Sequence, residues 1–400
     1  MKAGLLGRTL VHSLSPQIHK LFGDYAYRLY EKEPDEVESF LHAGFAAGKF
    51  DFLNVTIPYK QTAFALCDEL TPMARKLGNV NFVTRTADGR LRGDNTDAFG
   101  IERLIDSVGA DVRGLDCAVL GAGGAAMTAR AVLEERGAAR VTFVRRGECP
   151  AADVDLIVNA TPVGMFPHGD EVRIDISRWD SCRYVLDLVY NPSPTRLVRE
   201  ARACGKTAVD GLVMLVAQAY RAAELARTRD DRQETVRDSL PLSVVGCRLS
   251  CPTLFLYGPP ASGKSTLAKT VAAATGWQLV DLDAEIVRTA GRSIPEIFVA
   301  EGETGFRAIE KRCLQSICEG TDRTRTEVVA LGGGALLDDE CRKMAEECGR
   351  IVVLDCSLDV LRVRLTGGDR PLSADVTKLE RLVAARASHY ASFSRHIKMI

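Results

Sequence analysis

The chain has 400 residues, which is too long for one ordinary hydrophobic core and predicts two or three domains. Hydrophobic residues make up 46% of it and charged residues 26%, a composition typical of globular proteins. The formal net charge is −1, which excludes an overall positive field that would attract nucleic acid or an acidic membrane. We therefore expect neither as a partner.

The amino-terminal residues 1–16 begin with one basic residue and a short apolar run, a pattern that predicts a strand entering a loop rather than a secretory signal. Twelve cysteines are scattered along the chain without a CxxC pair, so we expect reduced thiols. No apolar run reaches the length of about eighteen residues that a membrane-spanning helix needs. Together these features predict a cytoplasmic protein.

Short apolar runs alternate with helical patterns in two stretches of the chain, which predicts an α/β fold with parallel, doubly wound sheets. In the first stretch a helix is predicted at residues 125–137, directly after the first strand. The predicted strands lie at 115–123, 139–146, 154–162 and 183–190, and then at 252–260, 277–283, 327–334 and 350–356. Between the two stretches, a charged helical pattern gives way to Pro, Gly and Ser, and we place a linker there at 241–251.

The first stretch contains a G-x-G-x-x-A motif formed by Gly121, Gly123 and Ala126, between a predicted strand and a predicted helix. The first glycine permits a tight turn, and the second lets the backbone approach a pyrophosphate at the helix amino terminus. About 20 residues later, where NAD-binding folds carry an acid, this chain has Arg145 and Arg146. Guanidinium groups suit a 2′-phosphate, so NADP is favoured over NAD, although two solvated surface arginines would give the same pattern.

Six segments resemble shikimate dehydrogenase in their order and spacing: HSLSPQIHK, NVTIPYK, GNVN, GDNTDAFG, NATPVGM and DGLVMLVAQ. The resemblance covers about residues 3–240. It implies a substrate-binding domain at 1–98 and an NADP-binding Rossmann domain at 99–210. A carboxy-terminal helix at 211–240 would return to the first domain.

The resemblance also implies a catalytic pair, Lys60 and Asp97, in which the lysine donates the proton that a reduced ketone requires. Without the surrounding motifs, a surface ion pair would be the commoner explanation. The implied substrate-binding residues are Ser13, Ser15, Thr56, Asn81, Asn95, Tyr190 and Gln218. The implied cofactor-binding residues are Gly121, Gly123, Gly124, Ala125, Arg145, Arg146, Thr161, Met165 and Gly211.

The sequence departs from this family's pattern at two places near the predicted sites. Arg145-Arg146-Gly147 replaces the frequent Asn-Arg-Thr, which changes the expected geometry of the phosphate loop. LGNVNF replaces the more usual IGAVNT, but the asparagine expected to bind substrate, Asn81, is retained.

The second stretch contains a G-x-x-x-x-G-K-S phosphate loop that begins at Gly258 after an apolar strand. In such a loop backbone amides bind phosphate oxygens, the lysine reaches the β- and γ-phosphates and the hydroxyl binds Mg²⁺. A motor, a switch GTPase and a small-molecule kinase all use this loop. The segments LVDLDAEI, SIPEIFVAEGETGFRAIE, VVALGGGA and GGDRPL favour the last, because residues 252–400 resemble shikimate kinase.

This second resemblance implies that Asp283 is the catalytic base and contacts the substrate hydroxyl, while Ser265 and Asp281 lie at the metal. The implied ATP-binding residues are Gly258, Ala261, Ser262, Gly263, Lys264, Ser265, Thr266, Arg364 and Arg370. The implied shikimate-binding residues are Asp283, Arg307, Gly333, Gly334 and Arg386, with Glu310 orienting an arginine. The lid segment RLTGGDRPLSA is shorter than usual.

The two resemblances together predict a bifunctional enzyme of aromatic amino-acid biosynthesis that uses NADP(H), ATP and Mg²⁺ and has small-molecule substrates. The first half would reduce 3-dehydroshikimate to shikimate, and the second would phosphorylate shikimate. Two alternatives stay open. The first half could be a quinate/shikimate dehydrogenase, or an inactive dehydrogenase-like domain that regulates the kinase. The sequence predicts no oligomeric state.

Overall fold

The computed structural model describes residues 1–145, 148, 154–172, 174–227, 253–320, 326–366 and 376–398. The chain divides into two compact units, one of residues 1–247 with 273–275 and the other of residues 248–272 with 276–400. The predicted linker at 241–251 lies outside the described residues, as do residues 228–240 of the predicted returning helix. Within the described part of the chain, no helix is long and apolar enough to cross a membrane.

The first lobe of unit 1 is a mixed sheet with helices around it. Its six strands have the order β2-β1-β3-β5-β6-β4, in which β5 runs antiparallel to both of its neighbours. Its elements are β1 (Lys2–Gly7), α1 (Ser15–Phe22), β2 (Ala26–Glu31), α2 (Val37–Ala46), β3 (Phe52–Val55), α3 (Lys60–Leu66), β4 (Glu69–Leu70), α4 (Pro72–Leu77), β5 (Phe82–Arg85) and β6 (Leu91–Asp94). All residues of β3 are buried, because the strand is covered on both faces.

The second lobe of unit 1 is a parallel five-stranded sheet of order β11-β10-β9-β7-β8. Its elements are α5 (Asp97–Ser107), β7 (Asp116–Leu120), α6 (Gly124–Glu135), β8 (Arg140–Val144), β9 (Leu156–Asn159), β10 (Tyr184–Asp187), α7 (Arg196–Ala203), β11 (Thr207–Val209) and α8 (Leu212–Arg227). Helix α8 packs against α1 and α5, and its Ala222 joins a core cluster with Ala3, Phe52 and Phe82. The described part of the predicted returning helix therefore packs on the first lobe.

Unit 2 is a second parallel sheet, of order β13-β14-β12-β15-β16. Its elements are β12 (Thr253–Tyr257), α9 (Lys264–Thr275), β13 (Gln278–Asp281), α10 (Leu282–Ala290), α11 (Ile294–Gly320), β14 (Glu327–Ala330), α12 (Asp339–Cys348), β15 (Gly349–Asp355), α13 (Leu358–Thr366), α14 (Val376–Ala391) and β16 (His396–Lys398). Helix α11 consists of two helical stretches that meet at Gly302, whose φ of 68° only glycine adopts easily.

These observations confirm the predicted α/β class with its parallel sheets. Strands β7 and β12 each lead into one of the predicted phosphate-binding loops. Both are almost continuous apolar runs and are buried in the structure. Continuous burial is typical of a strand in the middle of a parallel sheet, where helices cover both faces. In both units the loop that follows this strand opens at the carboxyl edge of the sheet, where ligands bind in open α/β folds.

Candidate active sites

A buried ion pair joins the two helices that begin beside the first lobe's sheet. Lys60 is the first residue of α3 and Asp97 the first of α5, and Lys60 Nζ donates to Asp97 Oδ2. Their side chains are only 16% and 9% exposed. Asn95 Oδ1 accepts from the N–H groups of Asp97, at 3.0 Å, and Ala98, at 3.3 Å, and so fixes the start of α5. The predicted catalytic pair is thus brought together by two helix amino termini.

Two of the predicted substrate-binding asparagines are held by their neighbours. Asn81 Oδ1 accepts from the Thr96 N–H at 2.7 Å, and Asn95 Nδ2 donates to Asn79 Oδ1 at 2.6 Å. Asn79 also faces the dinucleotide loop, because a Cβ placed on Gly124 would lie 3.9 Å from its Cγ. This buried network therefore lies beside the dinucleotide loop of the nucleotide lobe.

The remaining predicted substrate residues lie on four separate segments of unit 1: before and at the start of α1, after β3, after β10 and within α8. The Ser15 N–H donates to Ser13 Oγ at 3.3 Å, so the serine pair is brought together at the start of α1. Thr56 follows β3, and Gln218 Nε2 donates to the Leu215 carbonyl within α8. Among the described residues, no hydrogen bond joins Thr56, Tyr190 or Gln218 to Lys60 or Asp97. Burial raises the pKa of Tyr190 above its usual value.

The loop between β7 and α6 has the geometry that a pyrophosphate requires. Gly121 has a φ of 115°, a conformation that favours glycine, and a Cβ placed on Gly123 would meet no atom within 4 Å. Gly123 caps α6 without a side-chain hydrogen bond, so backbone N–H groups face the open side. Arg145 follows β8, and its N–H donates to Glu148 Oε2 at 2.8 Å. Arg146 lies outside the described residues.

The other predicted cofactor residues lie on the loops after β9 and β11, or in the first turn of α6. Gly124 and Ala125 open α6. Thr161 Oγ1 donates to Asn159 Oδ1 at 2.6 Å, and Met165 is 45% exposed on the same loop. At Gly211 a Cβ would collide with the backbone carbonyl of Leu188, so this position requires glycine. The residues present therefore fit a dinucleotide.

The loop between β12 and α9 has the strained backbone of a phosphate loop. Gly258, Ala261 and Gly263 have φ values of 132°, 61° and 95°. Lys264 is 9% exposed, and its Nζ donates to the carbonyl of Gly258 at 3.0 Å and to that of Pro259 at 2.7 Å. Burial lowers the pKa of Lys264 to about 8, against the opposing effect of two nearby aspartates. The predicted residues Ser262 and Thr266 lie in the same loop and the first turn of α9.

A hydroxyl and a carboxylate meet beside this loop at the predicted metal position. Ser265 Oγ donates to Asp281 Oδ2 at 3.1 Å. The other carboxylate oxygen, Oδ1, accepts from the N–H groups of Asp283 and Ala284 and so fixes the start of α10. Hydroxyl and carboxylate oxygens are ligands that Mg²⁺ accepts, and it completes its shell with phosphate oxygens and water. The donor set therefore fits Mg²⁺.

The predicted acid-binding arginine lies on α11 beside the glycine-rich turn. Arg307 donates to Glu310 at 2.5 Å and to Glu303 at 3.3 Å. Glu310 is buried, which raises the pKa of its carboxyl group, while the Arg307 guanidinium opposes that shift. The guanidinium lies directly against this turn, because a Cβ placed on Gly334 would be 2.6 Å from Arg307 Nη2. A cavity of about 380 Å³ opens beside these residues.

The second predicted arginine of this site contacts the same turn from α14. The Gly333 carbonyl accepts from Arg386 Nη1 at 3.1 Å and from the Tyr390 hydroxyl at 2.6 Å. Asp283 lies near the turn as well, because a Cβ on Gly332 would be 3.4 Å from its Oδ1. The structure thus brings Asp283 and the two arginines around one turn. The side chain of Arg364 and all of Arg370 lie outside the described residues.

Comparison with known proteins identifies the family of the first unit. A family model described as the shikimate dehydrogenase substrate binding domain matches residues 5–83. The shikimate dehydrogenase (NADP(+)) of Methanopyrus kandleri is 34% identical over 273 residues, covering 59% of this chain and 93% of that protein. The chain belongs to the shikimate dehydrogenase family.

Solved structures of this dehydrogenase family resemble the same part of the chain. Shikimate dehydrogenase 1 from Peptoclostridium difficile is 31% identical with a TM-score of 0.52, covering 56% of this chain and 91% of that one. Shikimate 5-dehydrogenase from Thermus thermophilus, in complex with NADP(H) and shikimate, is 29% identical with a TM-score of 0.50, covering 57% and 92%.

The second unit carries a shikimate kinase domain, because the shikimate kinase family model matches residues 260–399. Both predicted family resemblances are therefore confirmed. The roles of the individual residues remain predictions, which the geometry described above supports.

Two residues in the sites of this dehydrogenase and kinase chain were not predicted from the sequence. Asn79, which orients Asn95, occupies one of the three positions where LGNVNF departs from the usual family pattern, and that departure was the available signal. Tyr390 lies one helical turn after Arg386 and donates to the same carbonyl. Its spacing of four residues on a helix could have indicated a shared target.

Proposed function

We propose that this chain catalyses two consecutive reactions: the NADPH-dependent reduction of 3-dehydroshikimate to shikimate, and the MgATP-dependent phosphorylation of the 3-hydroxyl group of shikimate. One observation carries the proposal. Two family models whose descriptions both name shikimate match separate parts of one chain. The product of the first site would then be the substrate of the second.

In the dehydrogenase half, the loop at Gly121 and Gly123 would hold NADPH, which would supply a hydride to the carbonyl carbon of the substrate. The carbonyl oxygen gains negative charge and needs a proton, and the Lys60 ammonium is our candidate donor. Asp97 accepts a hydrogen bond from Lys60 and holds the ammonium group in place. Because both side chains are largely buried, this charge pair acts in an environment of low polarity, where electrostatic stabilisation is strong.

The serine pair, Ser13 and Ser15, would bind the substrate carboxylate, as in the family. Asn81 would contact a substrate hydroxyl with the Nδ2 N–H that its bond to Thr96 Oγ1 leaves over. Asn95 would contact another hydroxyl by exchanging its weaker bond, from Nδ2 to the Asn79 carbonyl at 3.4 Å, for one to substrate. Thr56, Tyr190 and Gln218 would complete the pocket. Helix α5, fixed by Asn95, would keep Asp97 and the pocket in one geometry.

In the kinase half, the residues would act mainly by positioning and by neutralising charge, as phosphoryl transfer requires. Lys264 and the loop amides would hold the phosphates, while Ser265 and Asp281 would hold Mg²⁺. Asp283 would accept the proton of the substrate hydroxyl as its oxygen attacks the γ-phosphorus and ADP leaves. Arg307 and Arg386 suit the carboxylate of shikimate because guanidinium groups bind carboxylates in a fork geometry.

The first experiment follows NADPH oxidation by the purified chain with 3-dehydroshikimate, with NADH in a parallel reaction. We expect turnover with NADPH and much slower turnover with NADH. Absence of turnover with either cofactor, from a chain that phosphorylates shikimate, would contradict the first reaction. It would instead support a kinase with a dehydrogenase-like binding domain.

A further inference from the structure

A buried carboxylate in the nucleotide lobe has no part in the reactions described so far. Asp187 is the last residue of β10 and is 0% exposed. Its neighbour in the sheet register is Asn159, the last residue of β9, which is 1% exposed. Register partners on adjacent parallel strands place their side chains on the same face. Both side chains therefore emerge at the carboxyl edge of the sheet, where the cofactor loops begin.

Asp187 accepts hydrogen bonds from three donors, one at the end of β9 and two on the segment between β10 and α7. Asn159 Nδ2 donates to Oδ1 at 2.8 Å, and the Val189 N–H donates to the same oxygen at 3.1 Å. The Thr195 hydroxyl donates to Oδ2 at 2.7 Å. Thr195 in turn caps α7, where its Oγ1 accepts from the Val198 N–H. One carboxylate thus connects the end of β9, the loop after β10 and the start of α7.

Asn159 extends these contacts into the loop that contains two predicted cofactor residues. Its Oδ1 accepts from the Thr161 N–H at 3.2 Å and from the Thr161 hydroxyl at 2.6 Å. Its Nδ2 also donates to the Val163 carbonyl at 3.3 Å. The loop continues to Phe166, whose N–H donates to the Asn191 carbonyl at 2.9 Å. The loop after β9 is therefore bonded at its start and again at Phe166 to the carboxyl end of β10 and the loop that follows it.

A second buried carboxylate joins the loop after β10 to the start of α8. Asp210 accepts from the Ser193 hydroxyl at 2.7 Å and from the Leu212 N–H at 3.1 Å. The Gly211 N–H donates to the Val189 carbonyl at 2.9 Å. Gly211 is a predicted cofactor contact and Tyr190 a predicted substrate contact. The segments that carry these two residues are thus hydrogen-bonded to one another.

We propose that Asp187 is a positioning residue of the dehydrogenase, which holds the loops that carry Thr161, Met165 and Tyr190 in the geometry that binds NADPH and substrate. The inference rests on the proposed function, because it assumes that these loops form the reduction site. Asp187 contacts neither reacting atom and acts only through its three donors. In its charged form it accepts all three hydrogen bonds, and a neutral apolar replacement would leave three donors in a buried place without an acceptor.

The test compares Asp187→Ala and Asp187→Asn with the wild-type full chain. Loss of all three acceptor contacts in Asp187→Ala should raise the KM for NADPH at least about tenfold, and the asparagine should limit the rise to about threefold, since its amide oxygen still accepts from Asn159 and Val189. Shikimate kinase activity of the same chains should not change. The matched control is Asp111→Ala, because Asp111 is 65% exposed and pairs with Arg113 at the surface.

A purely structural role gives a different result. If the substitution only unfolded the nucleotide lobe in part of the sample, kcat per chain would fall, but the KM values of the remaining folded enzyme would not change. Either that result or wholly unchanged kinetics would overturn the inference. Absence of dehydrogenase activity in the wild type would instead contradict the proposed function. If Asp187→Ala does not fold, Asn159→Ala provides the same test, because it disconnects Thr161 from Asp187. An unchanged KM for NADPH in that variant would equally overturn the inference.

Discussion

Replacement of Lys60 by methionine should separate the two activities of the chain. Methionine keeps an unbranched apolar side chain of similar length but cannot donate a proton or a hydrogen bond. The dehydrogenase would lose its candidate proton donor, whereas Lys60 has no part in the proposed kinase mechanism. We therefore expect Lys60→Met to lose most of the dehydrogenase activity and to keep the full shikimate kinase activity.

The structure gives the expected size of both effects. Loss of a general acid lowers kcat by about 10²–10⁴-fold, or about 3–5 kcal/mol of transition-state stabilisation. Because Lys60 and Asp97 are only 16% and 9% exposed, the variant also leaves a buried carboxylate without its partner. Breaking a buried pair in this way costs about 3–5 kcal/mol of unfolding free energy. The first lobe should therefore unfold at a lower denaturant concentration.

The assay measures dehydrogenase turnover, shikimate phosphorylation and urea unfolding on the same preparations. The control variant is Lys76→Met, which removes an ion pair with Glu135 whose side chains are 49% and 50% exposed. An exposed pair contributes at most about 1 kcal/mol, so this variant should resemble the wild type in all three measurements. Dehydrogenase kcat within about threefold of wild type in Lys60→Met would refute the assignment of the proton donor, since a general acid contributes far more.

Three further predictions concern the kinase half. Ser265→Ala removes the hydroxyl that donates to Asp281 and should lower kinase kcat/KM at least about tenfold at limiting Mg²⁺, with partial recovery at high Mg²⁺. Glu310→Gln should raise the KM for shikimate about tenfold with a smaller change in kcat, because Glu310 holds Arg307. Lys264 has a pKa of about 8 in the free chain, and bound phosphates favour its charged form. Nucleotide affinity should therefore fall as the pH rises above 8, with proton uptake on binding that Lys264→Met abolishes.

Each of these predictions has an outcome that would contradict it. Equal Mg²⁺ dependence of Ser265→Ala and wild type would remove Ser265 from the metal site. A normal KM for shikimate in Glu310→Gln would show that Arg307 needs no support. For Lys264, titration calorimetry in two buffers of different ionisation enthalpy measures the proton uptake, and a value of zero above pH 8 would contradict the lowered pKa. An unchanged urea-unfolding transition of the kinase unit serves as the folding control in all three cases.

Local sequence motifs predicted the elements that carry the two nucleotide sites. The strand, glycine turn and helix at Gly121 and at Gly258 are determined by neighbouring residues, because an apolar run, a glycine with positive φ and a helix start follow one another directly. The pairing of Lys60 with Asp97 was available only through the resemblance to a known family. Nothing in the spacing of two residues 37 positions apart predicts an ion pair.

Contacts that depend on how strands align were not predictable in this way. Asp187 was assigned to a strand, but its bond from Asn159 becomes visible only when β9 and β10 are in register. The hydrogen bond from Asn95 to Asn79 likewise depends on the antiparallel pairing of β5 with β6, which brings two loops together. Such contacts follow from tertiary structure, and the amino-acid pattern along one segment does not contain them.

The most direct test of the two-step account supplies the purified chain with 3-dehydroshikimate, NADPH and MgATP and measures NADPH oxidised and ADP formed in the same sample. The account predicts equal amounts of the two products at completion, and no ADP from 3-dehydroshikimate when NADPH is omitted. The Lys60→Met variant should form ADP only from added shikimate. ADP formation from added shikimate without any NADPH oxidation in the wild type would contradict the central claim that one chain catalyses both steps.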